Sequence, residues 1–494
     1  MFKKFMALVM ALALLCAAAP FAFAEGEVIT VEWLNNSWET GMEALIEDNF
    51  LEQYIRENLG VDIEYTKVDE LETTLNMRMM AGDIPDIIKI PNRNYLVEYA
   101  QEGYLLNLDE YADQLSDAFA FTEGNRSMGK VDGATYAITG RPYGFRQSYW
   151  YNVNAFNAAG ITEIPTTLDE YFDAVRTVMA ADIDGNGVND TLGITGAGWD
   201  TLCQIFGAHG VSAPNVLTLD AEGHVVDTML TENFYDALVY ANGLWEEGII
   251  DPEIFSLNDT QVNDKGKIAQ ATTLYTQWPG IKKVANWESY LAVDPNAAWE
   301  QVGPLTGPDG VNNYAGWHND NGYTSLYAVN ADLADDPEKL EAVLKVVNFF
   351  GTEEGLSLTT HGIEGTHWDY NEEGAPVVRP ECIAEINYSW VYQICGREEL
   401  SYCRVKFGDY AWKYVVDSDA MPRLNNVTGL VDDPEWYNGT DAETYISEEC
   451  AKFLTGERDL TPEEWQSFID TLESTYNYSQ FVAEYDAAWQ AMVG

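Results

Sequence analysis

The sequence predicts an α/β chain with mainly parallel sheets. Three observations carry this. Short runs rich in β-branched and apolar residues alternate in character, as in VITVEWL at Val28 to Leu34 and in the segment from Val61 to Lys67. Amphipathic helical stretches separate those runs, and strand–helix alternation is the mark of parallel α/β construction. The stretch GDIPDIIKI, Gly82 to Ile90, is a turn feeding a continuously apolar strand, as expected in a sheet covered on both faces.

Taken in order, the chain opens on a processing signal. Lys3 and Lys4 precede an apolar run from Phe5 to Ala19, and Ala22-Phe23-Ala24 offers a small-x-small cleavage site. The run is too short for a spanning helix, so residues 1–24 read as a signal peptide and the mature chain as exported. Cys16 raises a lipid-anchored alternative, which Leu15 disfavours because a small residue is expected before a lipidated cysteine. Beyond the first strand, the spacing predicts helices over Met42 to Leu59 and Leu71 to Ala81, the latter ending at Gly82.

The stretch from Gly133 to Gly193 is the densest in signals. Pro165 and the capping-box pattern Thr167-x-x-Glu170 start a helix whose buried stripe is Leu168, Tyr171, Phe172, Val175, Val178 and Met179. The helix runs into Asp182-x-Asp184-x-Asn186-Gly187-Val188-x-Asp190. Oxygen donors at alternate positions, the backbone carbonyl of Val188 and a glycine for the sharp bend suit a hard cation, so the loop predicts a structural Ca²⁺ site. Gly193 stands where such a loop usually supplies a bidentate Glu, so another group or water would complete the shell. The alternative is an Asx-rich turn without metal.

Composition bounds the rest. The 494 residues, 46% of them hydrophobic, suffice for two or three domains. Loss of residues 1–24 removes two lysines and no acid, taking the formal net charge from −55 to −57. Such a surface repels nucleic acid and anionic lipid. Five cysteines remain, an odd number, with no CxxC spacing; a disulfide among the four beyond Cys203 and a set of buried thiols both stay open. With only five histidines a zinc site is disfavoured.

From Ala81 onward the residues resemble a family. AGDIPDI at Ala81 to Ile87 resembles the GD.PD signature of extracellular solute-binding proteins of bacterial ABC transporters, the large maltose- and alginate-binding-like type. Similar passages follow in family order. They are the Gly103-to-Leu108 stretch, Asp132-Gly133-x-x-Tyr136-x-Ile138, Tyr151 to Phe156 with Gly160 and Pro165, Leu244 to Glu253, Gly266 to Ala269, Val346 to Gly355, Gly362 to Trp368 and Phe453 to Glu457. Together they cover essentially the whole mature chain. The metal-type loop resembles one in larger members, in which a carboxylate follows the last Asp; here that position is Thr191.

The resemblance implies a two-lobed fold of the type II periplasmic-binding-protein kind, with ligand held in a cleft and hinge crossings near Gly140–Gln147, Gly322–Val329 and Gly362–Trp368. Lobe 1 would comprise 25–145 and 323–364, and lobe 2 146–322 and 365–494. It also implies a monomer that captures an oligosaccharide or similar polyol and docks on ABC permease transmembrane subunits. Sugars offer C–H faces that stack on aromatic rings, so loop-borne tryptophans are the informative candidates: Trp38, Trp199, Trp278, Trp317 and Trp368. Arg93 and Arg141 are candidates for hydrogen bonds to ligand oxygens, inter-lobe salt bridges being the competing role, and Asn35, Asn36, Asp200 and Glu364 are further polar candidates. No GxSxG, HExxH or phosphate loop is present, so no catalytic residue is assigned. The rival functions are a carbohydrate-sensing or adhesive surface protein and a secreted carbohydrate-active enzyme with an unmarked carboxylate pair.

Overall fold

The computed structural model describes residues 28–36, 49–142, 147–181, 187–188, 190–315, 322–372, 374–386 and 388–493. The first strand, β1 (Ile29–Asn36), is followed by α1 (Phe50–Leu59), β2 (Val61–Val68), α2 (Leu71–Ala81), β3 (Ile87–Ile90) and α3 (Arg93–Gln101). Asn49 caps α1 by accepting from the Leu51 and Glu52 amides, and Gly60 ends it in the left-handed conformation at φ 73°. Asn92 caps α3 in the same manner. Then come β4 (Ala137–Thr139), β5 (Gln147–Asn152), α4 (Leu168–Met179), β6 (Leu192–Thr195) and α5 (Glu232–Glu246). They are followed by β7 (Ala271–Gln277), the single turn α6 (Trp278–Ile281), α7 (Val284–Val293), β8 (Trp299–Gln301), β9 (Leu326–Val329), α8 (Pro337–Phe349) and α9 (Glu353–His361). Four long helices close the chain: α10 (Glu399–Asp419), α11 (Gly439–Thr455), α12 (Pro462–Tyr476) and α13 (Tyr478–Val493).

Two sheets organise these elements, and both are mixed rather than mainly parallel as the strand–helix alternation predicts, because β9, β5 and β8 join them antiparallel. The first has the order β2-β1-β3-β9-β4, with β1 parallel to both β2 and β3, and β9 antiparallel to β3 and β4. The second has the order β8-β5-β7-β6, with β7 parallel to β6 and β5 antiparallel to β7 and β8. Each sheet is buried on both faces. In the first, Trp33 and Ile87 point to one core while Leu34 and Ile88 point to the other. In the second, Tyr149 and Tyr275 point one way while Trp150 and Leu274 point the other. This is the period-2 alternation of a strand expressed on two packed surfaces.

The helix over 168–179 forms where its pattern predicts, with Leu168, Tyr171, Phe172, Val175 and Val178 buried. Its capping box is not made: the Thr167 hydroxyl donates to the Glu170 carboxylate at 3.0 Å instead of meeting a helix amide.

The chain passes from the first sheet to the second between β4 and β5, and returns to the first at β9. The next passage differs from the expected one at 362–368. Trp368, Val378, Ile386, Tyr388, Tyr392 and Cys395 pack in the same core as Val31 and Trp33. The Tyr392 hydroxyl also donates to the buried Glu52 carboxylate at 2.7 Å. Helix α10 instead packs on the second sheet, where Tyr414 donates to Glu300 at 3.0 Å. We therefore place the boundary between the lobes after Cys395 rather than at residue 365, because 368–395 bury their apolar side chains against the first sheet.

The five cysteines from Cys203 to Cys450 are all free thiols, four of them buried and Cys382 partly so. Among the described residues no helix is long and apolar enough to cross a membrane.

Candidate functional site

In open α/β sheets, ligands bind beyond the carboxyl ends of parallel strands, because the strand-to-helix loops there are free of the core. Four such ends, with the end of the edge strand β4, bear on the sequence candidates. At the end of β1, Asn35 is buried and donates to the hydroxyls of Tyr65 and Tyr327 at 2.7 and 2.9 Å, so its amide is used within the first lobe. Trp38 lies outside the described residues.

Beyond β3, Arg93 opens α3. Its side chain donates to the Met128 carbonyl at 3.0 Å and its Nε stands 3.6 Å from Asp432 Oδ1. Asp432 adjoins Leu430 and Val431 of the second lobe's core, so this ion pair ties the lobes together. Tyr323, on the returning strand's approach, packs against cores of both lobes beside that pair. Arg141, beyond β4, pairs with Glu398 and lies 4.7 Å from the Phe121 ring centroid, while its amide donates to the Cys395 carbonyl at 3.1 Å. Both arginines are thus engaged in contacts within the protein.

The carboxyl ends of β6 and β7 hold two candidate tryptophans. Trp278, directly after β7, is fully buried among Trp150, Tyr290, Trp299, Tyr402 and Tyr414 and offers no ring face to a ligand in this conformation. Trp368 is also buried, its indole N–H donating to the Gly362 carbonyl at 3.0 Å. Trp199, four residues after β6, is half-buried, set edge-on to Phe255 at 5.2 Å and to Phe206 at 6.3 Å between ring centroids. Gly198 at φ 61° makes the turn that presents it. Trp317 lies outside the described residues.

Trp199 borders a cavity of 360 Å³, within the range of small-ligand pockets. Its polar lining comes from Asp200, Asn215, Thr428, Glu443 and Ser447. None of the described lining residues is basic. Asn215 takes a left-handed backbone at φ 62° and spends both amide hydrogens, on the Glu443 carbonyl at 3.0 Å and the Ser447 hydroxyl at 2.8 Å. Partial burial, then the neighbouring Asp433 charge, push the Glu443 carboxyl above its ordinary range. Burial raises Asp432 and Asp433 likewise, the Arg93 charge only partly offsetting the effect at Asp432. Thr428 lines the cavity four residues before Asp432, so the cavity and the inter-lobe ion pair share one short segment.

Of the described residues expected from sequence, the cavity contains Trp199 with Asp200 and none of the others. Asn215, Thr428, Glu443 and Ser447 carry no local motif; their only signals were turn-forming neighbours, Pro214 before Asn215 and Gly429 after Thr428. In the metal-type loop, Gly187 has the left-handed φ of 77° that the bend requires, and Val188 and Asp190 are exposed. Asp182, Asp184 and Asn186 lie outside the described residues, among which no cluster of three or more His, Cys, Asp or Glu side chains is placed to hold a metal.

The family model described as bacterial extracellular solute-binding protein matches residues 36–356. Lipoprotein LipO of Bacillus subtilis is 22% identical over 429 residues, covering 81% of each chain. A crystal structure of the alginate-binding protein AlgQ2 without calcium ion superposes with a TM-score of 0.68 at 17% identity, over 96% of this chain and 100% of that one. The Streptococcus pneumoniae ABC-transporter substrate-binding protein FusA, as an EF-hand mutant in complex with fructo-nystose, superposes with a TM-score of 0.65 at 18% identity, over 94% and 99%.

Proposed function

The chain belongs to the bacterial extracellular solute-binding proteins, and from that premise we propose that it is the binding component of an ABC importer that captures an oligosaccharide between its two lobes. The observation that carries the saccharide reading is the cavity at the carboxyl end of β6, where the Trp199 ring stands beside hydroxyl, amide and carboxylate groups. An aromatic wall accepts the C–H face of a sugar and polar groups accept its hydroxyls. The likeness to FusA, which is named for a bound fructo-oligosaccharide, supports the same ligand class. The Arg93–Asp432 pair and Tyr323, which meet across the lobes, support a hinge closure that brings lobe 1 over the cavity.

Handover to permease subunits, a monomeric state and export to the outer face of the cell belong to this reading, as does binding without catalysis. A lipid anchor at Cys16 remains the less favoured form of attachment. Trp38 and Trp317 stay proposed as cleft residues on sequence grounds. We also propose that Asp182, Asp184, Asn186, the Val188 carbonyl and Asp190 hold a structural Ca²⁺. The donor chemistry and the Gly187 bend support it, as does the EF-hand named in FusA.

The test is a thermal-shift series on the mature chain. A saccharide at about one hundred times its Kd adds about 2.7 kcal/mol to stability, a readable shift. Trp199→Ala is expected to remove that shift while the protein stays folded; an undiminished shift would detach the cavity from binding. Chelation is expected to lower the Tm, and Ca²⁺ to restore it, in the wild type but not in Asp184→Asn; an unchanged Tm would make the loop a metal-free turn.

A further inference from the structure

The cavity beside Trp199 has a one-sided hydrogen-bond inventory. The Asn215 amide hydrogens are already committed, to the Glu443 carbonyl and the Ser447 hydroxyl. Its Oδ1 is buried and finds no hydrogen-bond partner among the described residues. Asp200 and Glu443 add carboxylates, which accept only when ionised. The Thr428 oxygen already accepts from the Leu217 amide at 2.8 Å. The side-chain donors of the described lining are the Thr428 and Ser447 hydroxyls and the Trp199 indole N–H, and no Lys, Arg or His is among that lining.

A ligand complementary to this lining is rich in donors and carries no negative charge. A neutral sugar hydroxyl both donates and accepts, so it fits in part. A protonated amine offers three donors and no acceptor, and a cation is also drawn to an indole face. A uronate carboxylate finds no cationic partner in the described lining, and it would meet Asp200 and Glu443 with like charge. Burial first, and then the charge of Asp433 on Glu443 and of Asp432 on Asp433, raises the Glu443 and Asp433 carboxyls, so acidic groups lie close together at the cavity, on a chain of net charge −55.

Resting on the saccharide reading above, we propose that this cavity selects a protonated amino-sugar residue over its neutral counterpart and excludes uronate residues. Selection of this kind separates the chain from the alginate-binding neighbour, whose ligand is anionic.

The experiment is calorimetric titration of the mature chain, at about pH 6 so that amine and uronate are both ionised, with three probes: a glucosamine trisaccharide, a neutral glucose trisaccharide and a galacturonate trisaccharide. The expected order of affinity is amine, neutral, uronate, with roughly tenfold between the first two, as for one charge-assisted hydrogen bond. Glu443→Gln and Asp200→Asn are each expected to narrow the amine-to-neutral ratio to within about threefold. Uronate binding that equals or exceeds neutral binding overturns the proposal and leaves the saccharide reading intact. So does an amine-to-neutral ratio that neither substitution alters. Silence with all three probes overturns the saccharide reading for this cavity, and the selectivity with it.

Discussion

The carboxyl ends of β6 and β7 are neighbours in one parallel pair of strands, and they have opposite fates. Ile194 of β6 stands beside Thr273 of β7, and each strand runs within a few residues into a tryptophan on a polar, glycine-containing segment. After β7, α7 and α10 close over the chain, and Trp278 becomes one of the largest fully buried side chains in the molecule. After β6, the covering groups come from α11 and from the segment around Thr428, which leave a cavity against Trp199. Local sequence is nearly the same in kind at both ends. What decides between core and site is largely the layer supplied by α10 at one end and by α11 and Thr428 at the other, tertiary contacts from more than a hundred residues further along the chain.

The largest effect that would test this contrast is in stability. Trp278→Ala removes a fully buried indole and is expected to destabilise the fold by about 3–5 kcal/mol in urea unfolding. A loss below about 1 kcal/mol would mean that the β7 end is as open as its neighbour.

Next in size is a pH effect behind the β6 end. Asp227 is fully buried, accepts from the Tyr478 hydroxyl at 2.5 Å and caps a short turn through the Met229 amide; burial raises its carboxyl to about 6 despite those bonds. A carboxyl raised on folding is stabilising in its protonated form. Its contribution is complete below the unfolded value and is lost as pH rises through about 6. Lowering pH from 7 towards 4 should therefore raise stability by up to roughly 3 kcal/mol from this group, an increment that Asp227→Asn should flatten. Glu32 in the first lobe has the opposite sign. Its carboxyl is held low chiefly by hydrogen bonds from Arg78, so its contribution falls only as pH drops through that lowered value. A wild type and Asp227→Asn with parallel Tm–pH curves between 7 and 5 would remove the asymmetry.

The smallest expected change is the stability of Trp199→Ala, about 1 kcal/mol or less for a half-buried ring, together with loss of the saccharide-induced shift. A loss comparable to that of Trp278→Ala would show that both ends of the pair are core.

Where periodicity and burial coincide, the sequence was a sufficient guide. The strands at β1, β2 and β3 and the helices at 71–81 and 168–179 follow their apolar patterns because one sheet or helix face meets one core. The Thr167-x-x-Glu170 box misled in its chemistry, since two side chains that can each serve the backbone can also bond each other. The lobe boundary beyond residue 365 was illegible, because Trp368 to Cys395 carry no mark of which sheet they cover. Among the described residues, the candidate site was legible only at Trp199 and Asp200. Asn215 and Glu443 lie 228 residues apart in sequence, and their contact is a product of the fold.

The free thiols have a use of their own. Cys203 and Cys450 lie in one core of the second lobe, Cys403 in its other core and Cys395 in the first lobe. Burial raises the Cys203, Cys395 and Cys450 thiols well above the ordinary range, so the folded chain presents little thiolate to an alkylating reagent. Each modification then records a transient opening of the core that hides that sulfur. The order in which a mass spectrometer finds these cysteines blocked is a clock, native to the chain, that tells which half of the molecule breathes first and whether a bound sugar slows one half or both.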